Sequence, residues 1–291
     1  MPQASVGSGT KPAKVRTAVV KVLGCPLWGE EYARRNGRRV LAITHFHLGS
    51  LSATIEVDDP ASNTNSGEAT ITVSGPFRRF SLDGLNTAAK DLCWLLSLAS
   101  NSLLVPYDFP TETGRMISSV HGWLNRRNEH IDFIPGDRIR RFVEATWQGY
   151  RRFKRSRKFT MPIHYLLLAD LPEQPLEVSA LLTFVAWENL KTTWARASKI
   201  PFRKGSFRAP NGRPIGFVEL SRRMLTTVRI RQGVKRLSHL RNSIVHTGLA
   251  DIPVDELSRR TDQVRILLLQ YLFRLMGFRG EFSVGPLYAR S

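Results

Sequence analysis

Alternating apolar and polar positions mark the first half of the chain. Three such patterns cover residues 39–44, 53–57 and 69–73. A Gly49-Ser50 turn separates the first two, and a polar loop over residues 58–66 precedes the third. Alternation with a period of two is typical of half-buried strands, so we expect a small antiparallel sheet in this half.

Helical spacing of apolar residues begins at residue 85 and continues to residue 104. Apolar side chains recur there three or four positions apart, at Ala88, Leu92, Leu95, Leu96 and Leu98. This spacing places them on one side of a helix. We expect that side to pack on the sheet.

The second half of the chain has helical spacing almost throughout. Predicted helices cover residues 137–154, 176–197, 217–228, 232–247 and 254–276. Asp137 is the predicted cap of the first of them, and Gly and Pro residues separate the others. Short connections favour antiparallel neighbours and hence a helical bundle.

These patterns predict an α+β protein with two domains, because 291 residues are long for a single core. Residues 15–135 would form an antiparallel β-rich N-terminal domain with a packed helix. Residues 136–291 would form an all-α bundle. Residues 1–14 are rich in Gly, Ser, Ala and Lys and are predicted to be a flexible tail.

The composition adds a strong positive charge to this picture. Lys and Arg number 43 against 24 Asp and Glu, which gives a formal net charge of +19. Such a surface attracts phosphate backbones, and RNA is therefore the predicted partner. No apolar stretch is long enough for a membrane span and no signal-peptide pattern occurs, so a cytoplasmic protein without membrane contact is expected.

Part of this charge is concentrated after residue 150 and in a loop over residues 201–214. Aromatic residues Tyr150, Phe153 and Phe159 lie between the basic ones. We expect an RNA backbone to contact this surface, although each charge taken alone also fits a solvated helix face. The candidate nucleic-acid contacts are Arg151, Arg152, Lys154, Arg155, Arg157, Lys158, Arg203, Lys204 and Arg208.

Patterns for metals and cofactors are weak. Cys25 and Cys93 lie far apart among apolar neighbours and are predicted to be buried thiols. His45 and His47 share one face of a strand, but no third ligand lies near them in the sequence. Neither a metal nor a cofactor is predicted, since no Gly-rich phosphate loop occurs either.

The candidate chemistry lies in the segment RNSIVH, residues 241–246, which a Thr-Gly pair follows. Asn242 and His246 are four positions apart and share a helix face, whereas Arg241 lies about 100° round from Asn242. Gly248 fits the left-handed position that ends a helix. The predicted core-facing stripe of this helix consists of Val234, Leu237, Leu240 and Ile244, with Val245 at its margin.

Arginine and histidine in this arrangement suit metal-free cleavage of RNA. RNA supplies its own nucleophile, the 2′-hydroxyl, so an enzyme needs a group that transfers protons and a cation that stabilises the phosphorane. We assign His246 as general acid or base and Arg241 as phosphate clamp, and Asn242 as a polar partner that orients the imidazole or reaches a second subunit. Spacing alone is weak evidence, because Arg39 and His45 also fit the loose pattern of an Arg followed by a His four to six positions later. The Arg241–His246 pair differs in that an Asn follows the Arg, the segment is helical and a glycine ends the helix.

At these residues the chain resembles the HEPN superfamily, and in particular ApeA-like HEPN-domain proteins. The signature of that superfamily is an Arg, a polar residue and, a few positions later, a His. Trp147, Tyr150, residues 181–190 and the terminal helix resemble helices around the motif in this family. Residues 92–100 are similar to part of the N-terminal domain that often accompanies it.

The resemblance implies a helical bundle that forms a homodimer through the motif helices. It also implies a metal-independent endoribonuclease linked to toxin or antiviral systems, with an antitoxin or regulatory protein as a further partner. Arg241, Asn242 and His246 would form the catalytic site. Glu188 would order the Arg or the His, and an exposed helix charge is the alternative for Glu188.

Two other functions remain open at this point. The first is a non-catalytic module that dimerises and binds RNA or DNA, with Arg241 and His246 stabilising the interface. The second is an accessory subunit of a nucleotidyltransferase-type system, since some HEPN domains accompany such enzymes.

Overall fold

The fold is that of a computed structural model, which describes residues 14–25, 27, 29–35, 37–57, 67–118, 133–171, 174–231, 234–248, 250 and 252–284. The side chains at positions 35, 236, 246 and 247 are outside this description. The tail predicted over residues 1–14 lies outside it except for Lys14, and the loop predicted over residues 58–66 lies outside it entirely.

A seven-stranded antiparallel sheet forms the N-terminal half, in the order β2-β3-β4-β5-β1-β6-β7. The predicted turn at Gly49 and Ser50 is confirmed, because Leu48 pairs with Leu51 across it. Gly49 has a φ of +73°, which glycine adopts without a steric penalty. The strands are β1 (Val15–Leu23), β2 (Glu31–Arg35), β3 (Arg38–Leu48), β4 (Leu51–Val57), β5 (Ala69–Pro76), β6 (Val105–Thr111) and β7 (Gly114–Ile117).

Helix α1 (Leu82–Ser100) packs on this sheet against β1, β5 and β6, as predicted. It begins earlier than the apolar spacing indicated, because the Ser81 side chain accepts a hydrogen bond from the Gly84 N–H and caps the helix. It also ends before residue 104, since Asn101 adopts a left-handed conformation.

The remaining helices form the C-terminal half, so the expected α+β arrangement is confirmed. The predicted cap at Asp137 is wrong, because Asp137 lies in a 3-10 turn (Gly136–Arg138) and the next helix has no side-chain cap. Helix α3 was not predicted, since its nearly all-apolar sequence lacks helical periodicity. The helices are α2 (Ile139–Arg157), α3 (Thr160–Ala169), α4 (Leu176–Ala197), α5 (Phe217–Thr226), α6 (Lys235–Thr247) and α7 (Val254–Met276).

Residues 201–214, expected to be a loop, contain a short hairpin of β8 (Phe202–Arg203) and β9 (Ser206–Phe207). Side chains from the sheet, α1 and the C-terminal helices join in one continuous apolar core, and α2 contacts both α1 and β3. The division into domains at residue 135 stays a prediction. Within the described residues no helix is both long and apolar enough to cross a bilayer.

Candidate functional site

The motif helix α6 is oriented by its apolar stripe. Val234, Leu237, Leu240 and Ile244 are buried, as predicted, while α4 and α5 pack against this helix. Val245 is not part of the stripe, because 39% of its surface is exposed. Gly248 has a φ of +71° and its N–H donates to the Ile244 carbonyl, which confirms the predicted end of the helix.

Arg241 is held between Glu188 on α4 and its own neighbour Asn242. Its Nε and Nη2 donate to Oε1 of Glu188 at 3.2 and 2.9 Å, and its Nη1 donates to Oδ1 of Asn242 at 2.9 Å. The side chains of Arg241 and Glu188 are 22% and 29% exposed. The guanidinium is therefore fixed in orientation and still reached by solvent.

Two residues that sequence reasoning did not single out complete this cluster. Lys191, one turn after Glu188 on α4, donates to the other carboxylate oxygen of Glu188. The Phe217 ring at the start of α5 lies 5.4 Å from the Arg241 guanidinium carbon and 5.0 Å from Lys191 Nζ, which are cation–π distances. The spacing of Glu188 and Lys191 on one helix face could have suggested the first residue, whereas Phe217 reaches the site only through the tertiary fold.

The cluster borders an open groove of about 690 Å³ between α5 and α6. Ser238 and Asn242 of α6 line one side, and the first two turns of α5 line the other with Phe217, Arg222 and Arg223 among them. The groove has the size of a small-ligand site. Its polar and cationic lining suits an anionic ligand.

Glu219 is a carboxylate in the lining of this groove, and it is already paired. Its oxygens accept from Arg213 at 2.8 Å and from Arg223 at 2.6 Å. The hydrogen bond from Arg213, aided by Arg223, holds the pKa of Glu219 below its usual value. Glu219 is therefore ionised at neutral pH, and the two arginines compensate its negative charge.

His246 lies in the last turn of α6, and only its backbone is described. Helix geometry places position 246 on the same face as Asn242, which lines the groove. The structure thus brings Arg241, Asn242 and Glu188 into contact, and it places the backbone of position 246 one turn away from Asn242.

The nine candidate nucleic-acid contacts divide into internal and exposed groups. Lys154 binds Asp91 of α1 through both carboxylate oxygens, at 2.7 and 2.5 Å, and Arg157 donates to the Thr193 carbonyl at 3.2 Å. Arg208 donates to the Gly212 carbonyl. The exposed members are Arg151, Arg152, Arg155, Lys158, Arg203 and Lys204.

Among the described residues there is no cluster of three or more His, Cys, Asp or Glu that could hold a metal ion. His45 bonds to Thr54 at 2.9 Å and lies 3.5 Å from Glu31, while His47 is exposed. Cys25 and Cys93 are buried thiols, as predicted. Burial raises the pKa of the Cys93 thiol, so it is a poor nucleophile.

Comparisons with protein-family models, with curated proteins and with solved structures give no match to this chain.

Proposed function

We propose that the chain is a metal-independent endoribonuclease of HEPN type and an effector of a toxin or antiviral system. The observation that carries the proposal is the fixed Arg241, whose guanidinium is held by Glu188 and by Asn242, a residue that lines the groove. Glu188 and Asn242 engage three of the five N–H groups of the guanidinium. The other two would bind phosphate oxygens.

A fixed guanidinium has an advantage in transition-state stabilisation. Its orientation is established before the substrate binds, so less conformational freedom is lost when it meets the phosphorane. Lys191 keeps the cluster cationic, because two positive side chains face the single carboxylate of Glu188. The pairing with Glu188 therefore supports a clamp role for Arg241.

The proposed reaction begins when the 2′-oxygen of a ribose attacks the adjacent phosphorus. His246 accepts the hydroxyl proton as the bond forms, and Arg241 stabilises the charge on the phosphoryl oxygens. The bond to the 5′-oxygen then breaks, and that oxygen takes up a proton from an imidazolium. The products are a 2′,3′-cyclic phosphate and a 5′-hydroxyl, and no metal ion takes part.

A homodimer through α6 would bring two such sites together. Asn242 and Val245 lie on the exposed surface of α6. A second copy of the helix would cover this surface in the proposed dimer.

The test is cleavage of labelled single-stranded RNA by the purified protein in EDTA. His246→Ala should lower the rate by about 10²- to 10⁴-fold. His239→Ala is the matched control, because it removes an exposed His from the same helix, and it should retain the rate. Wild-type products should carry a 2′,3′-cyclic phosphate that acid treatment opens.

Binding of RNA without cleavage by any variant would overturn the nuclease proposal and favour a nucleic-acid-binding module. Equal losses in both His variants would contradict the assignment of position 246. Circular dichroism and light scattering of each variant separate these outcomes from unfolding or loss of a dimer.

A further inference from the structure

A second cavity lies at the other end of α5, away from the groove at Arg241. It has a volume of about 580 Å³ and is enclosed by the end of α5, the second half of α7 and residues 278–282. Since α5 has ten residues, its two ends are about 15 Å apart. The cavity and the groove at Arg241 share no lining residue, so they are separate sites.

The charged groups that line this cavity are all arginines. Arg229, Arg274 and Arg279 contribute to its walls, and no carboxylate is among the described residues there. Arg274 is fixed by its Nη1, which donates to the carbonyls of Val228 and Arg229 at 3.4 and 3.1 Å. A concave site with three guanidinium groups favours an anion, and phosphate fits their paired N–H geometry best.

Aromatic rings form the apolar wall of the same cavity. Phe273 lies 5.9 Å from Phe278 and 5.2 Å from Phe282, both in edge-to-face geometry. Phe282 is only partly buried and extends the apolar wall to the cavity mouth. A planar ring of a ligand can stack or pack edge-on against such a wall.

A buried amide oxygen adds a specific polar group. Gln270 lines the cavity, and its Oε1 is buried without a hydrogen-bond partner among the described residues. Buried carbonyl oxygens are almost always paired in folded proteins. If the Gln270 amide turns toward the cavity, an amino group of a ligand would satisfy this acceptor.

Arg229 has an unusual backbone conformation for this position. Its φ is +62°, and it stands where helices commonly have glycine. A non-glycine residue in this region costs stability. A glycine in its place would relieve that strain.

We propose that this cavity binds a nucleotide. Its phosphate would contact Arg229, Arg274 and Arg279, its base would pack against Phe282, and an exocyclic amino group would donate to Gln270. The nucleotide is either free or a residue of an RNA strand. The proposal does not depend on cleavage of RNA.

The first experiment is calorimetric titration of the full-length protein with AMP, GMP, CMP, UMP and inorganic phosphate in buffer of physiological ionic strength. Arg229→Gly should weaken nucleotide binding by about tenfold or more, because a charge-assisted hydrogen bond is lost. Its thermal midpoint should stay the same or rise, since glycine suits the left-handed conformation.

Lys199→Gly is the matched control. Lys199 is also exposed, also cationic and also left-handed, with a φ of +56°, and it follows α4 instead of lining the cavity. It should bind nucleotides like the wild type. Equal weakening in both variants would overturn the site, because only the overall charge would then matter.

Gln270→Met tests the contact with the base independently of the contacts with the phosphate. This change keeps a similar volume and removes the unsatisfied oxygen, so the fold should be as stable as before or more so. Affinity should fall for nucleotides whose base carries an amino group, AMP, GMP and CMP, and stay constant for inorganic phosphate. No binding of any mononucleotide or of an RNA tetranucleotide to the wild type would overturn the proposal.

Competition distinguishes the two sources of the nucleotide. If a tetranucleotide displaces AMP and binds more tightly, the cavity holds a residue of an RNA strand. If AMP stays bound in the presence of excess tetranucleotide, the ligand is a free nucleotide. If the titrations show nucleotide binding but the nuclease assay shows no cleavage, the nucleotide site is supported and the proposed nuclease function is contradicted.

Discussion

Two arginine–carboxylate pairs in the helical half have similar chemistry but opposite environments. Arg265 of α7 pairs with Asp170, and both side chains are fully buried. Asp170 also accepts from Asn101, and Arg265 also contacts Asp262 at 2.9 Å. Arg241 of α6 pairs with Glu188 of α4, and the two side chains are 22% and 29% exposed.

The difference in exposure separates the structural role of Arg265 from the functional role proposed for Arg241. The guanidinium of Arg265 is enclosed by groups from α3, α7 and the end of α1, so a ligand cannot reach it. Glu188 orients Arg241 without covering it. Both arginines are in ion pairs. How deeply the pair is buried therefore decides whether a ligand can reach the arginine.

The largest effect on stability is expected from Arg265→Met. It leaves the Asp170 carboxylate buried without its cation, which costs about 3–5 kcal/mol of unfolding free energy. Arg241→Met should cost only about 1 kcal/mol, because Lys191 still compensates Glu188. Urea denaturation of both variants measures the difference.

A double variant, Arg265→Met with Asp170→Leu, serves as the control for this prediction. It removes both charges and should regain part of the lost stability. Equal stability losses for Arg265→Met and Arg241→Met would break the distinction between the two pairs.

An intermediate effect is expected for Lys154→Met, because the Lys154–Asp91 pair is mostly buried, with 20% and 8% of the side chains exposed. Removal of the ammonium should cost about 1–3 kcal/mol at neutral pH. Arg155→Met, at the exposed neighbouring position, is the matched control and should cost less than about 0.5 kcal/mol.

The loss in Lys154→Met should grow with pH. Burial already raises the pKa of Asp91 above its ordinary value, and Lys154 opposes this. A carboxyl whose folded pKa is raised stabilises the fold below its unfolded pKa, and this contribution is lost as the pH rises through the folded pKa. Without Lys154 the folded pKa rises further, so the variant should approach wild-type stability near pH 4 and fall behind it at pH 7. A difference that shrinks with rising pH would contradict this account.

The smallest effect on stability is expected at the exposed arginines that we propose as RNA contacts. The triple variant Arg151→Gln, Arg152→Gln and Arg155→Gln should change the unfolding free energy by about 0.5 kcal/mol or less. It should weaken RNA binding for all sequences and flatten the slope of log K against log salt by roughly 2 units, if each residue contacts one phosphate of a single strand.

Filter binding at several salt concentrations measures this slope. A second triple variant neutralises Arg34, Arg38 and Arg39 on the sheet and has the same change in net charge. Identical slopes for the two triple variants would show that the helix surface is not a specific contact.

Hydrophobic periodicity predicted helices and strands that bury only one face. The boundaries of α4 and α7 were predicted to the residue, since Pro175 and Pro253 directly precede the two helices and Gly277 ends α7. Helix α3 was missed because seven of its ten residues are apolar and no exposed stripe marks a period. Strand β1 was missed although Ala18, Val20 and Val22 alternate inward.

The local part of the candidate site was accessible from sequence, and its surroundings were not. The spacing of Arg241 and Asn242 on one helix is a local property, and a role for Glu188 came only from family resemblance. Phe217 reaches Arg241 because α4, α5 and α6 pack together, which no short-range pattern contains. Lys154 was placed among nucleic-acid contacts because sequence does not reveal its partner Asp91, which lies 63 positions away.

The most direct test of the central claim is a paired measurement on Arg241→Met. Single-turnover cleavage of labelled RNA in EDTA and urea denaturation would be measured on the same preparation of wild type and variant. We expect the rate to fall by about 10²-fold or more, while the unfolding free energy changes by about 1 kcal/mol. An unchanged rate, or a stability loss as large as that of Arg265→Met, would contradict the assignment of Arg241 as an exposed phosphate clamp.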